Sequence, residues 1–342
     1  MDRKSCPPAS GMVEAFATPT PPGRSEPRLL CGAAAPVRRI AISPCGRYVA
    51  AGLETGSLRL FDLRVESSRM VLEGHVQRIE ALAFEDQGVL LASASADGTV
   101  RFWDHRSGRC CRILQAHPFP VTAMALTASA DRLATGDGDG TIKVWDTQPS
   151  KVRLVLKGCE DGVAGLAFDP GGKLLYAGDG KGTVRSFALP GGRLLAEYAA
   201  MHRGPILAWA VASDRERFAT AGRDGRIRLW TTRDGRCAQT LSIGSRPVLA
   251  LALSARPARV AVVDSAGRLA CLDATASPPA RLFSGQLPPP RDASAIGLVF
   301  DHASGRIGSG GPDRGVRLWD PRAASGTARA TASANAGATV GD

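Results

Sequence analysis

Short apolar runs separated by turn residues recur along most of the chain. In one stretch, the runs 81–84, 89–92 and 100–103 are divided by Asp86-Gln87-Gly88 and Ala96-Asp97-Gly98. Runs of this length between turn residues predict strands joined by hairpins. The runs are nearly continuous rather than alternating, which is typical of sheets that are covered on both faces. The pattern therefore predicts an all-β chain of small, stacked sheets.

The same pattern of runs repeats seven times. Each unit has an aromatic or aliphatic anchor at the end of its third run, and the anchors are Phe61, Trp103, Trp145, Phe187, Trp230, Leu272 and Trp319. Successive anchors lie 42 or 43 residues apart, except for the last two, which lie 47 apart. A period of about 40–45 residues per four-stranded unit is that of a propeller blade. We therefore predict seven blades.

A fourth run follows each of the first six units and is the candidate outer strand of a blade. These runs are 70–72, 112–114, 153–156, 194–198, 239–241 and 281–283. A further run, 28–31, precedes the first unit, and we expect it to complete the last blade, because that pairing removes an exposed sheet edge. The predicted organisation is a propeller over residues 28–322. It lies between a Pro-rich tail (1–27) and a low-complexity tail (323–342), both predicted to be disordered.

Four residue types recur at fixed offsets of 18, 4 and 6 positions in three units. The three sets are His75, Ser93, Asp97 and Trp103; His117, Thr135, Asp139 and Trp145; and His202, Thr220, Asp224 and Trp230. With the Trp-Asp pairs at 103–104 and 145–146, these sets resemble the WD-repeat family of the transducin beta-like type. The resemblance spans about residues 28–322 and implies a seven-bladed β-propeller. It also implies a hydrogen-bonded chain in each set, from the Trp indole through the hydroxyl and the His to the turn Asp.

The other units depart from this set. The replacements are Ala33, Ala51, Thr55 and Phe61 in the first unit; Cys159, Ala177, Lys181 and Phe187 in the fourth; and Gly244, Val262, Ala266 and Leu272 in the sixth. The seventh keeps Ser309, Asp313 and Trp319 but has Arg291 at the His position. A partly satisfied buried network costs stability. We therefore expect the first, fourth and sixth blades to lack the polar network altogether.

The chain is basic, with 43 Lys and Arg against 32 Asp and Glu and a formal net charge of +11. This charge permits an anionic partner. Six of the basic residues, however, recur at one place in the repeat: Arg59, Arg101, Lys143, Arg185, Arg228 and Arg317. Much of the charge is therefore predicted to belong to the repeating scaffold, and any contact with nucleic acid to be indirect.

No apolar run approaches the ~20 residues that a membrane span needs. Residues 1–27 are rich in Pro and polar residues and contain no apolar core of a signal peptide. We therefore expect an intracellular protein, cytoplasmic or nuclear, with no membrane partner.

The polar motifs predict no catalytic residue, no metal site and no cofactor. His75, His117 and His202 lie at equivalent places in three blades, so they cannot converge on one centre. The Gly-rich run 136–140 precedes a predicted strand rather than a helix, which indicates a hairpin turn and not a phosphate loop. We therefore expect no enzymatic activity and no small-molecule substrate.

The resemblance also implies where partners would bind. In WD-repeat proteins, partner-contacting positions on the narrow face lie three and five residues after the His position and just before the turn Asp. The corresponding residues here are Arg38, Glu54, Arg78, Glu80, Thr122, Leu207, Arg223, Leu249 and Ile296. Leu207, Leu249 and Ile296 form a predicted apolar sector beside a charged one. An aliphatic anchor with a charged rim suits a peptide or a protein loop.

Three functions are compatible with these features. The first is a non-enzymatic protein-protein interaction scaffold of an intracellular multiprotein assembly. The second is a substrate receptor of a cullin-RING ubiquitin ligase, because residues 61–64, 103–106 and 319–322 resemble the Trp-Asp-x-Arg ending of such receptors. The third is a subunit of a nucleic-acid-associated complex of the ribosome-assembly type, which the basic charge permits.

Overall fold

The structure is a computed structural model that describes residues 27–65, 67–198, 201–255, 258–276, 279–289, 296–301 and 304–321. The two predicted tails, apart from Pro27, and Arg291 lie outside these residues. The described residues form strands, turns and bends, and none of them belongs to a helix that is long and apolar enough to span a membrane.

The strands form seven antiparallel sheets of four strands each. The innermost strands are β2 (Val37–Ile42), β6 (Ile79–Phe84), β10 (Val121–Leu126), β14 (Val163–Phe168), β18 (Ile206–Val211), β22 (Val248–Ser254) and β26 (Gly297–Phe300). The second strands are β3 (Tyr48–Leu53), β7 (Leu90–Ser95), β11 (Arg132–Asp137), β15 (Leu174–Asp179), β19 (Arg217–Gly222), β23 (Arg259–Asp264) and β27 (Ile307–Gly310).

The remaining strands complete each sheet outward. The third strands are β4 (Leu58–Asp62), β8 (Thr99–Asp104), β12 (Ile142–Thr147), β16 (Val184–Ala188), β20 (Arg226–Thr231), β24 (Arg268–Asp273) and β28 (Gly315–Trp319). The outer strands are β5 (Ser67–Leu72), β9 (Cys110–Gln115), β13 (Ser150–Leu156), β17 (Arg193–Tyr198), β21 (Cys237–Ser242), β25 (Ala280–Gln286) and β1 (Arg28–Gly32). Blade 1 is β2–β5, and blade 7 is β26–β28 with β1.

The seven sheets are arranged as a ring. Each innermost strand packs against the innermost strand of the next blade, and β26 of blade 7 packs against β2 of blade 1. The seven-bladed β-propeller predicted from the repeat is therefore confirmed.

The ring closes through the N-terminal strand. Strand β1 pairs antiparallel with β28, with Arg28 opposite Leu318 and Gly32 opposite Gly315. Leu30 of β1 is buried in the same apolar cluster as Leu318. The outer strand of the last blade is therefore supplied by the start of the propeller, as the order of the apolar runs predicts.

Close packing between blades explains some of the glycines. Trp209 of blade 5 stacks on Phe218 with ring centroids 4.8 Å apart, and Phe218 stacks on Trp230 at 5.6 Å. A Cβ atom on Gly178 of blade 4 would lie 2.6 Å from the Trp209 ring, and one on Gly165 would lie 2.2 Å from it. Only glycine permits this approach, so the two glycines let a large aromatic side chain fill the space between blades 4 and 5.

Most of the repeated basic residues are neutralised or hydrogen-bonded inside the ring. Three of the six pair with an aspartate of the preceding turn, and two donate to a backbone carbonyl. The ion pairs are Arg185–Asp179, Arg228–Asp224 and Arg317–Asp313, and the carbonyl contacts are Arg59 to Gly32 and Lys143 to Ala116. This part of the charge belongs to the scaffold, as the repeat predicts.

Candidate binding surface

The innermost strands surround a central channel of about 560 Å³. A β-bulge interrupts the pairing of the first two strands in blades 1 to 6, in each case near the start of the innermost strand. The bulged residues are Arg38, Glu80, Thr122, Ala164, Leu207 and Leu249, and all six line the channel. A bulge leaves one residue outside the strand ladder and re-aims its side chain. The repeated bulge therefore places one side chain per blade at the start of the channel.

In blade 7 the corresponding place is held by Ile296, which directly precedes β26 and also lines the channel. We call the six bulged residues and Ile296 the channel mouth. It lies at the end of the ring where the second strand of each blade turns into the third. Five of the six bulged residues, and Ile296, are positions that the family resemblance selects.

One half of the channel mouth is charged. Arg38 of blade 1 donates to Glu54 at 2.9 Å and to Glu80 of blade 2 at 3.3 Å. Arg78 donates to the same Glu80 carboxylate at 2.5 Å, and Arg39 donates to the Glu80 backbone carbonyl at 2.7 Å. The Arg38 and Glu80 side chains are 4% and 8% exposed. Because a buried charge needs its partner, this cluster ties blades 1 and 2 together.

The other half of the channel mouth is apolar. Leu249 and Ile296 are buried in one cluster with Phe300, and half-buried Leu207 packs against that cluster. These three residues therefore lie together and line the channel. Leu207 is the most accessible of them, because Leu249 and Ile296 are only 7% and 3% exposed. Arg223 lies at the same end of the ring, on the turn between β19 and β20.

An ion pair spans the opposite end of the ring. Arg215, on the turn between β18 and β19 of blade 5, donates through both terminal nitrogens to the two carboxylate oxygens of Asp86, each at 2.7 Å. Asp86 lies on the turn between β6 and β7 of blade 2. These blades are not neighbours, so the pair crosses the ring. The two ends of the channel are thus built differently.

The hydrogen-bonded chain that the family resemblance implies is present in blade 2. The Trp103 indole N–H donates to Ser93 Oγ at 2.8 Å, His75 Nε2 lies 2.8 Å from the same oxygen, and His75 Nδ1 lies 2.8 Å from Asp97 Oδ2. Burial lowers the pKa of His75, although the hydrogen bond with Asp97 opposes this effect. A neutral His75 fits the geometry, because it accepts from Ser93 and donates to Asp97.

Blade 5 repeats this chain with Thr220 in place of the serine. Trp230 Nε1 and His202 Nε2 lie 3.0 and 2.9 Å from Thr220 Oγ1, and His202 Nδ1 lies 3.0 Å from Asp224 Oδ1. Burial lowers the pKa of His202. Burial by itself would raise the pKa of Asp224, but hydrogen bonds from His202 and from two backbone N–H groups lower it to about 2.

The prediction that Asp139 is the aspartate of the hydrogen-bonded chain in blade 3 is wrong. His117 Nδ1 lies 2.9 Å from Asp137 Oδ2, whereas the predicted Asp139 is exposed on the turn. Asp137 is the last residue of β11 and accepts the backbone N–H groups of Asp139 and Thr141. It therefore caps the turn from two positions earlier, where blade 2 has Ser95. The rest of this chain, from Trp145 through Thr135 to His117, has the predicted contacts.

Blades 4 and 6 lack the four-residue network, as expected, but each of them contains a buried carboxylate with a different partner, which the repeat pattern does not predict. Asp179 and Asp264 are fully buried at the position that corresponds to Asp137. Arg185 donates to Asp179, and Arg268 Nε donates to Asp264 at 2.7 Å. An arginine thus replaces the histidine as the partner of the carboxylate.

At the His position of blade 4, Cys159 is buried, and burial raises the pKa of its thiol to about 11. Blade 1 has Leu53 where blades 3, 4 and 6 have the aspartate, which agrees with the prediction for that blade.

Within the described part of the chain, no group of three or more His, Cys, Asp or Glu side chains could hold a metal ion. The three His side chains of the hydrogen-bonded chains lie in separate blades and contact Ser or Thr and Asp.

Comparison with protein-family models finds one family in five segments. The model described as "WD domain, G-beta repeat" matches residues 26–62, 66–104, 108–146, 150–187 and 193–231, which is more than half of the chain. The matched segments end within blade 5, so blades 6 and 7 are assigned from the structure. No curated protein matches the chain.

Proposed function

Because the chain belongs to the WD-repeat family, whose β-propellers are generally non-catalytic interaction domains, we propose that it is a non-enzymatic scaffold for other proteins. In this proposal it works within an intracellular multiprotein assembly. The observation that carries the proposal is the row of β-bulges at the channel mouth.

The bulges present different side chains on a repeated backbone. In blades 1 and 2 the bulged Arg38 and Glu80 are almost buried, and Arg78, which precedes β6 and pairs with Glu80, is the accessible charge. Blades 5 to 7 present an apolar surface of which Leu207 is the accessible part. The Arg78 side chain is 43% exposed, so it can contact a partner protein while it stays paired with Glu80. An apolar patch beside a polar rim is the arrangement of protein-binding surfaces. These features support a protein loop or peptide as the ligand of the channel mouth.

The test is affinity purification of the tagged full chain with mass spectrometry, after nuclease treatment and at two salt concentrations. The test variant is Arg78→Glu, and the control is Arg109→Glu, an exposed arginine at the opposite end of the ring. We expect at least one partner protein to survive nuclease, to bind the test variant about tenfold more weakly and to bind the control unchanged. Unchanged melting temperatures would show that both variants are folded. If no partner survives nuclease, or if both variants lose it equally, the proposal is wrong.

The structure offers one observation in favour of the ubiquitin-ligase receptor. Arg64 and Arg106 are exposed on adjacent blades and are held alike, because their backbone N–H groups donate to Asp62 at 3.0 Å and to Asp104 at 2.8 Å. Both belong to the Trp-Asp-x-Arg-like segments. If the chain is such a receptor, ligase subunits are captured and are lost in Arg64→Glu/Arg106→Glu but not in Arg78→Glu. Their absence from the purified wild-type complex would exclude this candidate.

The nucleic-acid-associated role has weaker support, because most of the repeated basic residues make contacts within the ring. The same purification tests it. Partners that disappear on nuclease treatment or at high salt, with Arg78→Glu unaffected, would support this role instead of the scaffold.

A further inference from the structure

Three loops at the channel-mouth end of blades 5 and 6 carry four arginines. Arg203 precedes β18, Arg223 and Arg226 flank the turn between β19 and β20, and Arg246 precedes β22. Arg203, Arg223 and Arg246 are exposed, and Arg226 is half-buried. We call these four residues the arginine cluster. Only Arg223 is a position that the family resemblance selects.

Backbone contacts hold the three loops against one another. The N–H of Arg223 donates to the carbonyl of Pro205 at 3.3 Å, and the N–H of Ile243 donates to the carbonyl of Gly225 at 3.2 Å. A Cβ atom on Gly225, whose φ is +69°, would lie 2.2 Å from the carbonyl oxygen of Gly244. The turn and the next loop are therefore in direct contact, and the four arginines share one continuous surface.

The one acidic residue in these loops is already used. The Asp224 side chain is 6% exposed, and its carboxylate accepts from His202 and from the backbone N–H groups of Arg203 and Arg226. The buried Arg228 lies 3.5 Å from the same carboxylate. Asp224 therefore positions two members of the arginine cluster from below and has little capacity left to neutralise their side chains.

The corresponding loops of blades 3 and 4 carry three exposed acidic residues and two exposed lysines, Lys157 and Lys181. Asp139, Glu160 and Asp161 are exposed there, and Lys181 pairs with Glu160 at 2.7 Å. One end of the ring thus combines an acidic sector on blades 3 and 4 with a basic sector on blades 5 and 6. A partner that covers this end meets charges of both signs.

We propose that the arginine cluster binds an acidic segment of a partner protein, with an apolar residue of that segment placed against Leu207. Guanidinium groups bind carboxylates through paired hydrogen bonds, and several arginines on one surface can hold several carboxylates. Leu207 lies on β18, two residues after the loop residue Pro205, and lines the channel, so an apolar contact lies beside the charged one. This inference rests on the proposed scaffold function and names the chemistry of its ligand.

Two observations favour a protein segment over nucleic acid. The exposed carboxylates of Asp139 and Asp161 lie on the neighbouring blades, where Glu160 is paired with Lys181, and they would repel a phosphate backbone that continued across this end. The three loops also contain no Phe, Tyr or Trp on which a base could stack. A short acidic segment confined to blades 5 and 6 avoids both difficulties.

The test is selection of phage-displayed random dodecapeptides on the full chain, followed by fluorescence anisotropy with the selected peptides. The variant is Arg223→Glu/Arg246→Glu, and the charge-matched control is Arg109→Glu/Arg233→Glu, two exposed arginines at the opposite end. We expect the selected peptides to be net negative with an apolar residue. Their affinity should fall at least about tenfold in the variant, stay unchanged in the control and weaken with salt. If the charge-reversal variant does not fold, Arg246→Ser replaces it and should weaken binding in the same direction.

Other outcomes overturn the inference. Neutral or basic selected peptides, no selected peptide, or acidic peptides that bind variant and control alike would show that the arginine cluster does not recognise carboxylates. Polyuridine that binds more tightly than the peptides and depends on the same arginines would make the cluster a nucleic-acid site. Partner proteins that are lost in Arg78→Glu but retained in Arg223→Glu/Arg246→Glu would refute this inference and leave the scaffold function standing.

Discussion

Blades 2, 3 and 5 bury an aspartate beside a histidine, whereas blades 4 and 6 bury one beside an arginine. In both kinds of blade the carboxylate also accepts backbone N–H groups of the turn between the second and third strands. Asp97 accepts from Thr99, and Asp179 accepts from Thr183, both at 2.9 Å. In these five blades a carboxylate caps the turn and has a side-chain partner, which is a histidine in three blades and an arginine in the other two.

The two kinds of partner differ in charge. Each buried histidine is neutral and is linked through a Ser or Thr hydroxyl to a tryptophan indole. Each arginine is cationic and is linked to the carboxylate without such a connection to a tryptophan. The Asp179 side chain is fully buried and that of Arg185 is 8% exposed, so blade 4 contains a nearly buried ion pair. Breaking such a pair leaves a buried charge without its partner. Among the histidine blades, blade 5 also buries a cation, Arg228, which lies 3.5 Å from Asp224.

The largest expected effect is that of Asp179→Asn in blade 4. The change removes the buried carboxylate that pairs with Arg185, whose other acidic partner is the 40% exposed Glu197 at 3.2 Å. We expect the free energy of unfolding to fall by about 3–5 kcal/mol. Urea denaturation followed by circular dichroism measures this loss. The control is the double variant Asp179→Asn/Arg185→Met, which removes both charges but keeps an amide oxygen that accepts the turn N–H groups, and it should recover most of the lost stability. Equal losses in the single and double variants would show that the uncompensated cation is not the cause.

An intermediate effect distinguishes the two aspartates of blade 3. Asp137→Ala should lower the free energy of unfolding by about 1–3 kcal/mol, because it leaves His117 and the turn N–H groups without an acceptor. Asp139→Ala changes an exposed side chain and should lie within about 0.5 kcal/mol of the wild type. Thermal and urea denaturation of this matched pair decides between the observed and the predicted spacing. A greater loss in Asp139→Ala would restore the predicted set.

The smallest effect is a pH dependence that belongs to the histidine blades. The pKa values of His75, His117 and His202 are lowered by burial, so the unfolded chain binds more protons than the folded chain below about pH 6.5. Stability from these groups is present above that pH and is lost as the pH falls toward their folded pKa values. We expect the urea midpoint to decrease from pH 7.5 to 5.5.

The variant His202→Gln isolates the contribution of blade 5 to the slope of the urea midpoint against pH. It should be less stable than the wild type at pH 7.5, and its midpoint should depend less on pH. A slope equal to that of the wild type would mean that His202 does not contribute to the acid sensitivity.

The repeat predicts the architecture because the same pattern of apolar runs occurs in every blade. The anchors Leu272 and Trp319 identify blades 6 and 7, although the family model matches nothing beyond residue 231. Both lie on third strands, as the spacing predicts. The period and the apolar runs are thus sufficient for the fold, because each blade must bury the same faces against its neighbours.

The details of the site are less predictable. A β-bulge at Arg38 or Leu207 changes the strand register by one residue, and no residue type in the sequence marks it. The choice between Asp137 and Asp139 depends on where β11 ends, which the spacing of the other sets does not determine. The arginine cluster is missed except for Arg223, because its members come from three loops that are brought together only by the ring.

The pairing of β1 with β28 has a consequence for protein synthesis. About 290 residues of chain separate Arg28 from its partner Leu318, and at ~5–20 residues per second the ribosome needs roughly 15 s to a minute to make them. During that time β1 has no partner strand, and the first blade has no neighbour on one side. Any chain that stops short of β28 keeps this open edge, which is a hazard for aggregation. The first strand of the nascent protein therefore becomes paired only after the last blade has been translated.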